Sequence, residues 1–255
     1  MSKIIVLANQ KGGVGKTITT FNLAAELARL GKTVLMVDLD PQSSLTHTLD
    51  IVADEQNLAS VLGITERGTM EIVDIICPIR ERLDLAPGDI LLSRTEVGLV
   101  VRPAREYQLK RALDALMGRY DFVLVDSPPS LGLLVINALI AAQWVIVPTQ
   151  LDTLALRGLG LFIETLAETQ VEYNQTAKLM GVLPTMVDLR PVHARDVLQA
   201  LQSRQDLCVF ATTIPRTIRF SEAALKQQPL ADYEPENPGS IAFANLAKEV
   251  ISRAT

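Results

Sequence analysis

The apolar residues of this chain form short continuous runs separated by longer amphipathic stretches. Five runs of four or five residues are rich in β-branched side chains, which is typical of strands covered on both faces: 4–8, 34–37, 122–125, 144–147 and 180–183. Helical spacing of apolar positions predicts helices between and after them, over 17–30, 105–117, 131–142, 154–172 and 193–202. This alternation predicts an α/β fold, with a doubly wound, mostly parallel sheet and helices on both faces.

The pattern runs through the chain without a break that would divide it. No internal repeat, low-complexity tract or Pro/Gly-rich linker interrupts it, so we expect a single domain over residues 1–255. Gly31 stands where a helix would end before the second strand. The least regular stretch is 49–104, and 232–239 is a turn-rich connection to a last helix over 241–253.

Net charge, cysteine content and hydropathy limit the classes of function that the chain can have. The net charge of −5 gives no chain-wide basic signal, so any nucleic-acid binding has to come from a local patch. Cys77 and Cys208 lie too far apart for a CxxC or Cys/His cluster, which argues against a zinc site, a disulfide or an iron–sulfur cluster. No leader precedes the first strand, and the apolar stretch 131–147 is too short and too interrupted to span a membrane, so we expect a cytoplasmic protein.

A glycine-rich loop follows the first predicted strand and precedes the first helix. It reads Lys11-Gly12-Gly13-Val14-Gly15-Lys16-Thr17, the context that a phosphate-binding loop requires. Glycines allow backbone N–H groups to turn towards phosphates, and the helix N-terminus adds the positive end of its dipole. Lys16 is expected to bridge the β- and γ-phosphates of ATP, and Thr17 to ligate Mg²⁺. The ordinary motif has glycine where this chain has Gln10, and Lys11 makes the loop match a rarer variant, the deviant Walker A. With this loop, the expected fold is of the P-loop NTPase type.

Carboxylates end two other predicted strands, the edge at which open α/β sheets bind ligands. Asp126 is interpreted as the Walker B residue that holds Mg²⁺ mainly through water. Asp40 is the candidate for orienting the attacking water, and Asp38 is expected to support the metal shell.

Together these motifs resemble the ParA/Soj branch of the ParA/MinD family, which segregates plasmids, chromosomes and other cargo. The resemblance covers nearly the whole chain through NQKGGVGKT, VDLDPQ, DFVLVDSPPS, VIVPTQ and TTIPRTIRFSEA. It implies a homodimer that sandwiches ATP, in which Lys11 reaches the partner's phosphates. Lys11, Lys16 and Asp40 are then the catalytic residues, and Thr17, Asp38 and Asp126 the metal site. The implied nucleotide-binding residues are Lys11, Gly12, Gly13, Val14, Gly15, Lys16, Thr17, Ile18, Met186 and Pro215, the last two lining the adenine pocket.

Two positions depart from the family pattern. Ile18 replaces a second threonine and removes one possible phosphate or ribose contact, and Ser43-Ser44 replaces Gly-Asn. Both leave the expected roles in place and leave the turnover rate open.

The resemblance also implies ATP-dependent, non-specific DNA binding, with a ParB-like or other cargo adaptor that stimulates hydrolysis. Segment 178–226 has seven Lys/Arg against four Asp/Glu. Arg190, Arg216 and Arg219 match or nearly match the positions that contact the DNA backbone in related proteins. Phosphate contacts of this kind give affinity without sequence readout. The protein is accordingly expected on the nucleoid, with cargo and adaptor left open.

Other classes of function were weighed against this one. A MinD-like membrane-associated positioning ATPase is the alternative, but it would need a basic amphipathic C-terminal helix, and Phe243, Leu246 and Val250 have core-like spacing instead. Because the first strand begins by Ile4, we do not expect an N-terminal operator-binding domain.

Overall fold

The protein is built around a central β-sheet. The structure is a computed structural model that describes residues 2–63, 70–173 and 177–254. Within these ranges the sheet has seven strands in the order β3-β4-β2-β5-β1-β6-β7. The strands are β1 Lys3–Leu7, β2 Val34–Asp38, β3 Cys77–Arg80, β4 Leu83–Ala86, β5 Phe122–Asp126, β6 Trp144–Gln150 and β7 Lys178–Thr185. The β3–β4 pair is antiparallel and the other pairs are parallel. The predicted doubly wound, mostly parallel sheet is confirmed.

Helices cover both faces of the sheet. They are α1 Lys16–Arg29, α2 Ser44–Thr48, α3 Leu58–Leu62, α4 Leu92–Leu99, α5 Gln108–Asp114, α6 Leu133–Ala141, α7 Thr153–Tyr173, α8 Val192–Gln202, α9 Arg219–Ala224, α10 Leu230–Tyr233 and α11 Pro238–Arg253. Alternate strand residues face opposite ways: Ile4 and Val6 join one buried cluster, whereas Ile5 and Leu7 join the other. Two-sided burial explains why the strands have continuous apolar runs rather than alternating ones.

The fold departs from the sequence prediction mainly in segment 49–104. Strands β3 and β4 lie there, and residues 64–69 are outside the described part of the chain. Pro78 interrupts the β3 pattern and is tolerated because β3 is an edge strand. Strand β6 continues three residues past the predicted 144–147, and the helix predicted over 105–117 is a 3₁₀ turn followed by the shorter α5.

The C-terminal helix packs into the core. Asn237 caps its first turn by accepting from the Gly239 N–H at 2.9 Å, so α11 begins three residues before the predicted 241. Phe243, Leu246 and Val250 are at most 1% exposed and face α1. Among the described residues, no helix combines the length and apolarity that a membrane span requires. That residues 1–255 form one domain stays a prediction.

Candidate active site

The loop between β1 and α1 lies at the carboxyl edge of the central strands. Gly13 and Gly15 have φ values of +72° and +87°, in the left-handed region that favours glycine. Gly15 therefore turns the chain into α1, which begins at Lys16. Val14 is fully buried, and its carbonyl accepts a 2.8 Å hydrogen bond from the Thr185 hydroxyl at the end of β7. The loop is thus anchored from below while its glycines line an open cavity.

Lys16 is only 7% exposed, although it carries the charge expected to meet phosphate. Its Nζ donates to the Asn9 carbonyl at 3.4 Å, a long contact that leaves donor capacity free. Burial lowers the pKa of the Lys16 ammonium, and the negative charges of Asp126 and Asp40 offset this in part. Asn9 is fixed in turn by its 2.7 Å hydrogen bond to the Pro148 carbonyl.

Asp38 and Asp126 end neighbouring strands in direct register. Both side chains are at most 1% exposed. Thr17 donates its hydroxyl to Asp126 Oδ2 at 2.6 Å, which brings together two of the three residues predicted for the metal site. Burial raises the pKa of Asp38 to about 6, and burial followed by the charge of Asp38 raises the pKa of Asp126 well above its usual range. Two carboxylates this close and this buried favour a cation between or beside them.

Two buried oxygens support Mg²⁺ as the ion that Thr17, Asp38 and Asp126 would hold. Asp38 Oδ1 and Asp126 Oδ1 are buried oxygens with no hydrogen-bond partner in the described part of the chain. Unsatisfied buried polar atoms are costly and call for an explanation. Carboxylate and hydroxyl oxygens are the hard ligands that Mg²⁺ prefers, directly or through its retained water. Thr17, Asp38 and Asp126 could therefore hold the ion, and it would supply charge neutralisation for the phosphates.

Thr46 is a site residue that the sequence reasoning missed. Its N–H and hydroxyl both donate to Asp38 Oδ2, at 2.8 and 2.7 Å. The same hydroxyl accepts from the Gly88 N–H at 3.0 Å. These contacts aim Asp38 and leave its second oxygen free. No spacing rule relates Thr46 to Asp38, because the contact arises from the turn of α2 back onto β2.

A cavity of 860 Å³ opens beside the phosphate loop and the start of α1. Its walls include the loop residues Gly12 to Thr17 except the buried Val14, together with Ile18, Asp40, Pro129 and Met186. Asp40 Oδ1 accepts from the Gln42 N–H at 2.9 Å, which fixes the turn after β2 and leaves the carboxylate at the cavity. Asp40 and Thr17 therefore line the cavity, whereas Asp126 is buried behind the Thr17 hydroxyl, with Asp38 beside it on the neighbouring strand.

A smaller cavity of 310 Å³ adjoins the first beside α1. Gly15, Ile18, Met186 and Pro215 line it, so the two positions predicted for the adenine pocket do lie together. Met186 has a φ of +50° and Val187 forms a bridge with Pro215, which joins the end of β7 to the segment before α9. The volume and apolar lining suit a flat heterocycle.

The remaining predicted residues are Lys11, at the start of the phosphate loop, and the three arginines predicted to contact DNA. Lys11 points along the loop to Asp152, with Nζ 2.5 Å from Oδ2. Hydrogen bonds from Arg190 lower the pKa of Asp188 to about 2, and the charges of Arg190 and Arg216 add to this effect. Both arginines therefore lie near Asp188. Arg219 begins α9 and pairs with Glu222 at 2.6 Å. Arg216 lines the smaller cavity, and Arg190 and Arg219 lie on the chain segments that follow Met186 and Pro215.

Comparison with known proteins agrees with this geometry. Residues 2–179 match the family model described as an AAA domain. The chain is 41% identical over 252 residues to the sporulation initiation inhibitor protein Soj of Bacillus subtilis, covering 98% of each protein. It is 40% identical over 250 residues to the chromosome-partitioning ATPase Soj of Thermus thermophilus, covering 98% of this chain and 95% of that protein.

A solved structure gives the same fold with ligands. It is named cobyrinic acid a,c-diamide synthase from Mycobacterium smegmatis and contains a bound ATP analogue and magnesium. It superposes with a TM-score of 0.85 at 40% identity, over 98% of this chain and 95% of that one. With the loop, the acidic pair and the cavity in the arrangement described, this chain belongs to the Soj/ParA family of P-loop partitioning ATPases.

Proposed function

We propose that the protein is an ATP-dependent, dimerising ATPase that binds DNA non-specifically and partitions cargo. In this cycle ATP and Mg²⁺ bind at the loop, two protomers close over the nucleotides, and the dimer gains affinity for the nucleoid. A ParB-like or other cargo adaptor then stimulates hydrolysis and releases the dimer. The cargo is a plasmid, a chromosome or a protein compartment, and the protein works in the cytoplasm on the nucleoid.

The buried acidic pair of Asp38 and Asp126 beside the phosphate loop is the observation that carries the proposal. Two buried carboxylates lie beside Thr17 and the buried Lys16, and each has one oxygen without a partner among the described residues. Such a pair is costly in a protein with no ligand to neutralise it. An ATP–Mg²⁺ complex satisfies both sets of charges: the cation meets Asp126 and Asp38, and the phosphates meet Lys16 and the loop N–H groups. The ligands in the Mycobacterium smegmatis structure support the same assignment.

The position of Asp40 supports hydrolysis as well as binding. Its carboxylate lines the large cavity, while its contact with the Gln42 N–H restrains it. A carboxylate that lines the cavity and is separate from the predicted metal ligands is suited to orient a water towards the terminal phosphate. Lys11, on the open side of the loop, supplies a cation for a nucleotide held by the partner, so hydrolysis depends on dimerisation.

Three arginines near the smaller cavity support the DNA-binding step. Arg190 is 89% exposed in its side chain, and Arg216 and Arg219 follow Pro215 in the chain. Their backbone segments also line the expected adenine site. Nucleotide binding can therefore change the position of these cations directly, without a relay through the core.

Changing Asp40 to alanine (D40A) is expected to trap an ATP-bound dimer. Asp38, Asp126 and Lys16 remain, so ATP and Mg²⁺ still bind, but the attacking water loses its orienting group. We expect turnover to fall by about 100-fold or more. Light scattering measures the dimer with ATP, and phosphate release measures hydrolysis.

The matched control is the change of Asp74, an exposed carboxylate in the 3₁₀ turn Ile72–Ile75, to alanine (D74A), which should match wild type. A D40A protein that stays monomeric and hydrolyses ATP at the wild-type rate would remove Asp40 from the mechanism. The phosphate-release assay also distinguishes partitioning from the activity named for the Mycobacterium smegmatis structure. Stimulation of hydrolysis by cobyrinic acid, rather than by DNA and an adaptor, would favour that activity.

A membrane-associated positioning ATPase remains the second candidate from the sequence. The burial of α11 against α1 weighs against it, because the apolar face that a membrane anchor would use is occupied by the protein's own core.

A further inference from the structure

Lys11 is held inside its own protomer by the far end of strand β6. Its ammonium lies 2.5 Å from Asp152 Oδ2 and 3.2 Å from Gln150 Oε1. The Lys11 and Asp152 side chains are 37% and 39% exposed, so the pair is partly shielded from water. The family resemblance places Lys11 on the partner's phosphates and implies no role for Gln150 or Asp152.

Gln150 fixes the geometry of this contact. Its Nε2 donates to the Gly13 carbonyl at 3.0 Å and contacts Met186 Sδ at 2.8 Å. Because a carbonyl oxygen can only accept, the amide nitrogen must face Gly13 and the amide oxygen must face Lys11. One side chain thus joins the phosphate loop, the adenine side of the site and the Lys11 ammonium.

A cation bound to Asp152 is not free to meet phosphate. To reach a nucleotide in the partner, Lys11 has to exchange the Asp152 carboxylate for a phosphate oxygen. We infer that Asp152 is a positioning residue that acts through Lys11. It holds the lysine in its own protomer, with Gln150 as the second acceptor, and thereby opposes dimer closure until ATP–Mg²⁺ occupies both sites. This inference rests on the proposed role of Lys11 in the dimer.

The test changes Asp152 to asparagine (D152N). Asp152 directly precedes α7, and asparagine caps helices as well as aspartate does, so the substitution removes the charge with little effect on the fold. One partly exposed ion pair changes an equilibrium by roughly two- to fivefold, and a dimer has to break two of them. D152N is therefore expected to raise the ATP-dependent dimerisation constant by about 4- to 25-fold at low salt. The gap should shrink at high salt, since screening weakens the wild-type pair.

Two comparisons make the result specific. In a Lys11→Ala background, Asp152→Asn should have no further effect, because the pair is already gone. Asp206→Asn breaks a surface pair of the same kind with Arg204, at 2.6 Å and remote from the cavity, and should leave dimerisation unchanged. An Asp152→Asn protein that dimerises like wild type at low salt, or whose gain persists without Lys11, overturns the inference.

A second readout does not depend on dimerisation. In the nucleotide-free protein, the Lys11 amine should react severalfold faster with an acylating reagent in D152N than in wild type, because the contact with the Asp152 carboxylate holds Nζ in place and shields it from the reagent. Equal labelling overturns the pair itself. If labelling rises but Lys11→Ala dimerises and hydrolyses ATP like wild type, the proposed function of Lys11 fails and the cis contact stands.

Discussion

Replacing Lys16 by alanine (K16A) is expected to weaken ATP binding by at least about 100-fold, since it removes charge-assisted hydrogen bonds to two phosphates. Lys16 is buried at the base of the loop, and its pKa is lowered by burial. A cation kept in such a place, with a long hydrogen bond to the Asn9 carbonyl, is stabilised strongly when phosphate arrives. Calorimetric titration with a non-hydrolysable ATP analogue measures the weakening.

The matched control removes Lys110, an exposed lysine paired with Asp114 at 3.0 Å on α5. Lys110→Ala should bind ATP like wild type. A K16A protein whose affinity stays within about threefold of wild type would contradict the assignment of the loop as the phosphate site.

Replacing Asp126 by asparagine (D126N) is expected to have opposite effects on stability and activity. Mg²⁺-dependent hydrolysis should fall by about 100-fold or more, because the metal site loses a charged ligand. The nucleotide-free protein, however, should gain about 1 to 3 kcal/mol in free energy of unfolding at pH 8, because the change removes a buried carboxylate with one oxygen unpartnered within the described ranges. Thermal and denaturant unfolding measure the second effect.

The pH dependence of this gain follows from the pKa of Asp126. Burial and the charge of Asp38 raise that pKa in the folded state, so the folded protein binds more protons than the unfolded chain between the unfolded and folded pKa values. Wild-type stability from this group therefore falls as pH rises through that window. The advantage of D126N should be largest at alkaline pH and shrink towards pH 5.

Asp121, just before the other end of β5, provides the contrasting variant. Hydrogen bonds from the Thr33 N–H and hydroxyl lower its pKa, so its contribution is present above the unfolded pKa and lost as pH falls. Asp121→Asn should lower stability at pH 8. If D126N also destabilised the nucleotide-free protein, the explanation of the unpartnered oxygens as a ligand site would be wrong.

The sequence predicted the fold and the loop because both depend on local signals. Buried strands require continuous apolar runs, and the turn after β1 requires glycines at Gly13 and Gly15, whose φ values are positive. The carboxyl edge of a parallel sheet then brings Asp38 and Asp126 together. These consequences follow from residue type and chain order alone.

Side-chain contacts between distant segments could not be predicted in this way. Thr46 supports Asp38 through the turn of α2, and Gln150 reaches the loop 137 residues earlier. The strands β3 and β4 were missed because each has four residues and β3 contains Pro78 and charged Arg80. In each case the position is fixed by packing rather than by periodicity.

The ion pairs of the candidate DNA-binding arginines bear on the proposed ATP-dependent binding of DNA. Arg190 pairs with Asp188, and Arg219 with Glu222 and Glu234. Exposed pairs of this kind are weak and exchange readily for DNA phosphates. While these pairs are intact, Arg190 and Arg219 therefore add little net positive charge to this surface.

The most direct test of an ATP-controlled DNA switch is the binding of purified protein to random-sequence duplex DNA, with ATP, ADP or no nucleotide, across a salt series. We predict binding with ATP and Mg²⁺ only, with an affinity that falls steeply as salt rises. Replacing Arg216 or Arg219 by glutamine should reduce the log–log salt slope by about one for each DNA phosphate that the dimer no longer neutralises. Equal binding in all nucleotide states, or no binding in any of them, would contradict such a switch.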